Sequence, residues 1–446
     1  MTASLADPLD PSLRSTSRDE AAGRPHARVL FINDTARNGG PGRSLHSILK
    51  FLDPAVVHRA VVVPRAGAVA DLLSGVVDEL YLEPNLVENP IEPWARPMER
   101  RDFDAPAPVK VARLAGNVVK AGRAIERLAS LVRRGRFDLI YCNGTNADFA
   151  GGALAGITGV PALWHVRYTS VPRLVGPLHD WLAASPRVRR IVCVSRSAAA
   201  LFPRCTEKVR VIHNALDVAD FDPARVTPSL RQELGLPADA IVFGSHGRVL
   251  RRKGYVELAR AAHLALGRLT PAERGRVTFV VVGDTPEDYR PDHVEECRVL
   301  AGELGLGRAF RMVGFRSDVR PLVADFDVAV VPSVYDDPLP RSVIESMALG
   351  RPVVAFDVGG VAEMLDRETG ELVPFEPARG GPGANDASVE RLAQALVRYA
   401  RDPALRAAQG AAARERVLRD FDARAHARRI QDEIVLAAAP SGQAPR

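Results

Sequence analysis

Apolar positions along this chain fall into two rhythms. Short, almost uninterrupted apolar blocks occur at residues 28–33, 59–63, 79–82, 137–142, 161–166, 190–194 and 209–213. They return at 240–244, 277–283, 310–315, 328–331 and 352–356. Blocks of this length, bounded by Gly, Pro, Asn or Asp, predict strands buried on both faces. Between them the spacing changes to three and four, as in Leu45, Ile48, Leu49 and Leu52, or in Val111, Leu114, Val118, Ile125, Leu128 and Val132. That second rhythm predicts helices, and three more close the chain at 387–401, 403–419 and 423–437. Strand alternating with helix gives an α/β chain whose sheets are largely parallel. At 446 residues the chain is long for one domain. A polar, Asp- and Pro-rich stretch at 218–239 interrupts the rhythm, and the domain boundary is expected near 217.

Chemistry collects where strands end. After the block at 28–33 comes Asn38-Gly-Gly-Pro-Gly-Arg-Ser44, a glycine turn opening a helix. Free backbone N–H groups at such a helix start suit a phosphate. The dinucleotide pattern GxGxxG is not completed, because Leu45 stands where the third glycine would be. Gly40 and Gly42 are therefore candidates for a sugar nucleotide, with a tight turn alone as the plainer reading. His165 ends the block 161–166, at the sheet edge where α/β domains hold ligands; a structural histidine is the alternative. In the second half, Gly247-Arg248 and Lys253-Gly254 place two cations just before a helix, a geometry suited to a diphosphate.

The richest stretch is Val331-Pro-Ser-Val-Tyr-Asp-Asp-Pro-Leu-Pro-Arg-Ser-Val-Ile-Glu-Ser-Met-Ala-Leu-Gly350. A strand ends, a proline-broken acidic loop follows, and a short helix begins near Arg341 and Ser342. Asp337 in the loop and Glu345 in the helix offer hydroxyl acceptors at two depths, with phosphate-friendly N–H groups and Ser342 between them. An ordinary strand–loop–helix edge carrying surface acids remains the other reading.

Asp337-Pro-Leu-Pro340 followed by Ile344-Glu-Ser-Met-Ala348 and Gly350 resembles the two-carboxylate donor motif of family 4 retaining glycosyltransferases, with Asp337 where the family usually has Glu. Residues 247–254 resemble its "GR…KG" pattern, and Val211-Ile-His-Asn-Ala-Leu-Asp217 its exit from the first domain. The resemblance implies a GT-B fold: two doubly wound Rossmann-like domains facing across a cleft, with a last helix crossing back to the first. The expected division is 26–217 with 423–437 on the acceptor side and 218–422 for the donor, and tails at 1–25 and 438–446. It further implies that Arg248 and Lys253 hold the diphosphate, Glu345 the ribose and Asp337 the sugar, with His165, Gly40 and Gly42 contributing from the other domain. The implied reaction is retaining transfer from a nucleoside-diphosphate sugar to a glycan, lipid-linked or small-molecule acceptor, in the setting of polysaccharide biosynthesis. No cofactor and no metal is expected. A sugar-nucleotide epimerase and a non-catalytic nucleotide-sugar-binding module would use the same pocket.

Composition narrows the partners. A net charge of +6 suits anionic ligands or an anionic membrane face, whereas 6% aromatics with no basic–aromatic interleaving gives no support for nucleic acid. Cys142, Cys193, Cys205 and Cys297 show no CxxC spacing and read as buried thiols of a reducing compartment. No apolar run approaches the ~20 residues of a membrane span, and 1–25 lacks an apolar signal region. A cytoplasmic protein is expected. Its helix at 109–136 is rich in Arg and Lys, and either packs on a sheet with its arginines in water or lies at the inner membrane face.

Overall fold

The computed structural model describes residues 27–36, 39–86, 107–286, 292–379 and 383–440. The stretches 1–25 and 441–446, and most of the proline-rich segment at 84–108, lie outside these residues. Two compact units emerge: one takes the chain through Ala215 and then resumes at Ala423, and the other holds Leu216–Asp422.

The first unit contains β1 (Ala27–Asn33), β2 (Val57–Val63), β3 (Glu79–Leu82), β4 (Leu139–Asn143), β5 (Ala162–Val166), β6 (Val188–Cys193) and β7 (Val209–Val211). Their order is β3-β2-β1-β4-β5-β6-β7, and every pairing is parallel. One face is covered by helices Ala107–Gly135, Thr145–Thr158 and Gly176–Ala184 through Leu128, Val132, Leu154 and Leu182. The opposite face packs helix Gly40–Phe51 and the terminal helix Ala423–Ala438, whose Ile430, Ile434 and Ala437 join Phe31, Leu45 and Tyr141 in one core. Arg189 donates to the carbonyl of Ala437 at 2.8 Å, satisfying an end of that helix.

The second unit contains β8 (Ile241–His246), β9 (Val277–Val282), β10 (Phe310–Met312), β11 (Val328–Val331), β12 (Val353–Phe356) and β13 (Gly370–Val373). The order is β10-β9-β8-β11-β12-β13, again parallel throughout. Both sheets are thus doubly wound, with the chain reversing direction between β1 and β4 in one and between β8 and β11 in the other. In such sheets the crevice for a ligand opens beyond the strands' C-terminal ends at that reversal. All twelve apolar blocks of the sequence form strands, and β13 adds one over Thr369-Gly-Glu-Leu-Val373 that the apolar pattern does not mark. The block at 310–315 is cut to Phe310–Met312 because the chain leaves the ladder for Gly314, which takes φ +78°.

Candidate functional site

The reversal in the second unit brings the end of β8 beside the end of β11. His246 is the last residue of β8, and the chain then turns through Gly247 and Arg248 to a short 3-10 turn, Arg251–Lys253. Gly254 closes that turn at φ +76°, with its backbone so near Pro332 that a Cβ would lie 1.7 Å from the carbonyl oxygen. Val334 N–H donates to the Arg252 carbonyl at 2.9 Å. The two loops are therefore locked face to face, which carries Lys253 to the loop after β11.

There the Lys253 ammonium meets the Asp337 carboxylate at 2.6 Å, and the Tyr335 hydroxyl donates to the same oxygen at 2.8 Å. Arg252 and Lys253 each lie over the Tyr335 ring, at 5.1 and 5.3 Å from its centre. Burial opposes charge on both members of the pair, but each partner's field overrides it. Lys253 is raised and Asp337 lowered, so both stay ionised. Gly360 N–H holds the Asp337 carbonyl at 2.9 Å, so the turn after β12 fixes the acid's backbone.

Helix Arg341–Ala348 begins at Pro340 with no side chain capping it. Ser342 is half-buried in its first turn. Glu345 is buried one turn further in; its carboxylate accepts from His246 Nε2 at 3.0 Å and from Arg341 Nε at 3.1 Å. Arg248 is exposed, next to Gly247, and its charge reaches the Tyr255 hydroxyl. The second unit thus gathers Lys253, Asp337, Glu345 and Ser342 on the loops and helix at one sheet reversal, with Arg248 on the adjoining turn.

The first unit places the other candidates at its own reversal. Gly40 begins helix Gly40–Phe51 directly after β1, and Gly42 is buried in its first turn. Asn143 at the end of β4 donates to Asn33 at the end of β1, at 2.7 Å. Asp34 accepts from the backbone N–H groups of Asn146 and Ala147 at 2.9 and 3.4 Å, which puts a carboxylate at the start of helix Thr145–Thr158. His165 is wholly buried. Its Nδ1 faces the Tyr141 hydroxyl and, at 3.3 Å, Arg167 Nη2. A guanidinium only donates, so Nδ1 accepts and the ring proton sits on Nε2. That Nε2 is buried without a hydrogen-bond partner among the described residues. Burial, then the charges of Arg167 and His426, push the imidazole well below its usual range and keep it neutral. Arg167 itself is tied to Asn143 and Asn214.

His246, Tyr335 and Arg341 were not singled out from the sequence. His246 carries the same signal as His165, a histidine at the C-terminal end of a strand, and that rule finds it. Nothing local marks Tyr335 or Asp34, whose roles depend on partners from other elements. All four cysteines are free and buried. Among the described residues no group of His, Cys, Asp or Glu is placed to hold a metal ion.

Two family models match the chain: "Glycosyltransferase Family 4" over residues 83–220 and "Glycosyl transferases group 1" over 240–402. The 2-deoxystreptamine glucosyltransferase of Streptomyces kanamyceticus is 30% identical over 361 residues, covering 73% of this chain and 87% of that one. Alpha-maltose-1-phosphate synthase of Mycolicibacterium smegmatis is 32% identical over 237 residues, 51% of this chain and 56% of the relative. Among solved structures, Anabaena Alr3699/HepE in complex with UDP-glucose superposes with a TM-score of 0.70 at 23% identity, covering 91% of this chain and 99% of that one. That likeness establishes the two-domain, Rossmann-like GT-B fold.

Proposed function

This chain belongs to the family 4 glycosyltransferases, and we propose that it moves a sugar from a nucleoside diphosphate to an acceptor with retention at the anomeric carbon. The observation that carries the reading is the Lys253–Asp337 pair beside the His246–Glu345–Arg341 set at one sheet reversal. A departing nucleoside diphosphate gains negative charge as the glycosidic bond breaks, and prepositioned cations stabilise that charge most where water is excluded. Lys253, with its charge secured by Asp337, is such a cation, and Arg248 is the second. When the diphosphate takes the ammonium, Asp337 is released to accept from hydroxyls of the sugar. Glu345 accepts from the ribose hydroxyls, and the open N–H groups at the start of helix Arg341–Ala348, with Ser342, add donors for phosphate. In the first unit, His165 Nε2–H and the backbone at Gly40 and Gly42 stand as candidate donors at that unit's own sheet reversal.

The family assignment supports retention, with the departing phosphate oxygen taking the acceptor's proton on the face it leaves as the acceptor oxygen bonds to the anomeric carbon. In this reading Lys253 and Arg248 carry the leaving charge and the reaction calls on no metal. The relative's name as a glucosyltransferase and the neighbour's complex with UDP-glucose make UDP-glucose the first donor to try.

The test is a panel of sugar nucleotides scored by thermal shift, followed by mass spectrometry of products with chelator present. A stabilising donor and a transferred sugar are expected, with Lys253→Ala slowing transfer about 10²–10³-fold. Unchanged turnover in that variant would remove the proposed clamp. Conversion of the donor alone into an isomer would indicate an epimerase, and nucleotide binding without any product a binding module.

A further inference from the structure

Glu345 is held from two directions, and the two holds fix different things. Arg341 lies one turn earlier on the same helix and reaches the Glu345 carboxylate at 3.1 Å. A long side chain with many rotamers, mounted on the acid's own helix, steadies the carboxylate without tying it to the sheet. His246 reaches the other carboxylate oxygen at 3.0 Å from a different element, 99 positions away in sequence. A carboxylate only accepts, so imidazole Nε2–H donates. Both side chains are nearly enclosed, at 5% and 7% exposure.

The sequence of β8 shows why a histidine can stand there. Alternation along the strand puts Ile241 and Phe243 on one face, in the unit's main core, and Val242, Gly244 and His246 on the other. Gly244 leaves that second face bare, and a Cβ there would lie 2.2 Å from the Phe326 ring. Phe326 fills the space, with its ring centre 6.4 Å from that of His246. β8 is paired on both sides, with β9 and β11. Gly247 N–H extends the ladder to the Val282 carbonyl at 3.0 Å, so the backbone at His246 is still fixed. From there the chain runs straight into Gly247, Arg248 and the turn that carries Lys253. One stretch of backbone therefore sets the cations and also the direction of the Glu345 carboxylate.

We propose that His246 is a positioning residue for the ribose of the donor. It keeps Glu345 in register with Arg248 and Lys253, so that the affinity gained from the ribose hydroxyls depends on it. The inference rests on the reading that Glu345 accepts from the ribose. A histidine that served the fold alone would affect every nucleotide equally, whereas one that aims the carboxylate affects only nucleotides carrying the hydroxyls.

Calorimetric titration compares UDP with 2′,3′-dideoxyuridine diphosphate, which lacks both hydroxyls. The natural chain should bind UDP at least about tenfold more tightly, the worth of hydrogen bonds to a charged acceptor. Glu345→Gln should shrink that preference. His246→Phe keeps an aromatic ring and removes the donor; it should weaken UDP about tenfold and leave the dideoxy nucleotide within about twofold. His246→Gln, whose amide N–H can donate to the same oxygen, should restore most of the preference. In transfer assays His246→Phe should raise KM for the donor and leave kcat nearly unchanged, since the ribose is remote from the bond that breaks. Should that variant unsettle the fold by stranding a buried acid, the same substitution beside Glu345→Gln removes the acid too, and there it should change the preference no further. A preference that His246→Phe leaves intact, or equal weakening of both nucleotides, would overturn the role of His246 while Glu345 keeps its own. Equal binding of the two by the natural chain, or binding of neither, would instead take the ribose away from Glu345 and the inference with it.

Discussion

Lys253 and Asp337 illustrate how a single pair can serve both fold and function. The pair is largely buried, and Tyr335 supplies one further hydrogen bond to the same carboxylate oxygen. Removing one member of such a pair strands the other's charge, at roughly 3–5 kcal/mol. Lys253→Ala should therefore lower the thermal midpoint as well as turnover, whereas Lys253→Met combined with Asp337→Asn should recover much of the midpoint and none of the transfer. The pH dependence has two edges. Asp337 is depressed in the fold, so its contribution is present above its unfolded pKa and disappears as acid takes the pH through its folded value. Lys253 is raised, so its contribution is full below its unfolded pKa and disappears as alkali takes the pH through its folded value. The pair should thus stabilise from about pH 4 to about pH 10, and the difference in melting midpoint between the natural chain and the double variant, followed across pH, measures it. The sequence made both residues legible as site candidates, because glycine turns and a strand end flank them. It did not make their contact legible, since they are 84 positions apart and meet only when β8 and β11 pair.

At the scale of elements, the strands were readable because parallel strands buried on both faces leave continuous apolar runs. Edges were less so: the block at 209–213 pairs only as Val209–Val211, since this outer strand has one neighbour, β6. The glycine turns were readable as turns, but their tightness belongs to the packing of one loop on another. Gly254 and Gly267 separate those two things. Gly254 has a positive φ and no room for a Cβ, whereas Gly267 lies exposed in helix Tyr255–Arg268 with nothing within 4 Å of where a Cβ would be. Gly267→Ala should stabilise by roughly 0.4–1 kcal/mol, because alanine removes freedom from the unfolded chain at a position whose backbone it can adopt. Gly254→Ala should destabilise by more than about 1 kcal/mol, because both its φ and its neighbour oppose the methyl. It should also weaken UDP binding, since Lys253 is the preceding residue. Melting curves and calorimetric titration of the two variants side by side distinguish a strained turn that places a cation from a glycine with no local duty.

Across the whole chain, the terminal helix Ala423–Ala438 is a part of the first unit supplied by sequence that follows the second. Its Ile430, Ile434 and Ala437 are completely buried against Phe31, Leu45 and Tyr141. Fully burying each isoleucine contributes about 1.5–3 kcal/mol, so the two isoleucines alone match a sizeable part of a domain's net stability of roughly 5–15 kcal/mol. The second unit draws its core from β8 to β13 and helices such as Tyr255–Arg268 and Asp386–Arg401, none of which lies beyond Asp422. A chain stopped after Asp422 should therefore lose its first unit and keep its second. Scanning calorimetry should show one transition weakened or missing and the other retained, and UDP should still raise the surviving one. If UDP no longer shifts it while the second unit stays folded, the nucleotide is not held by Lys253, Glu345 and their neighbours alone.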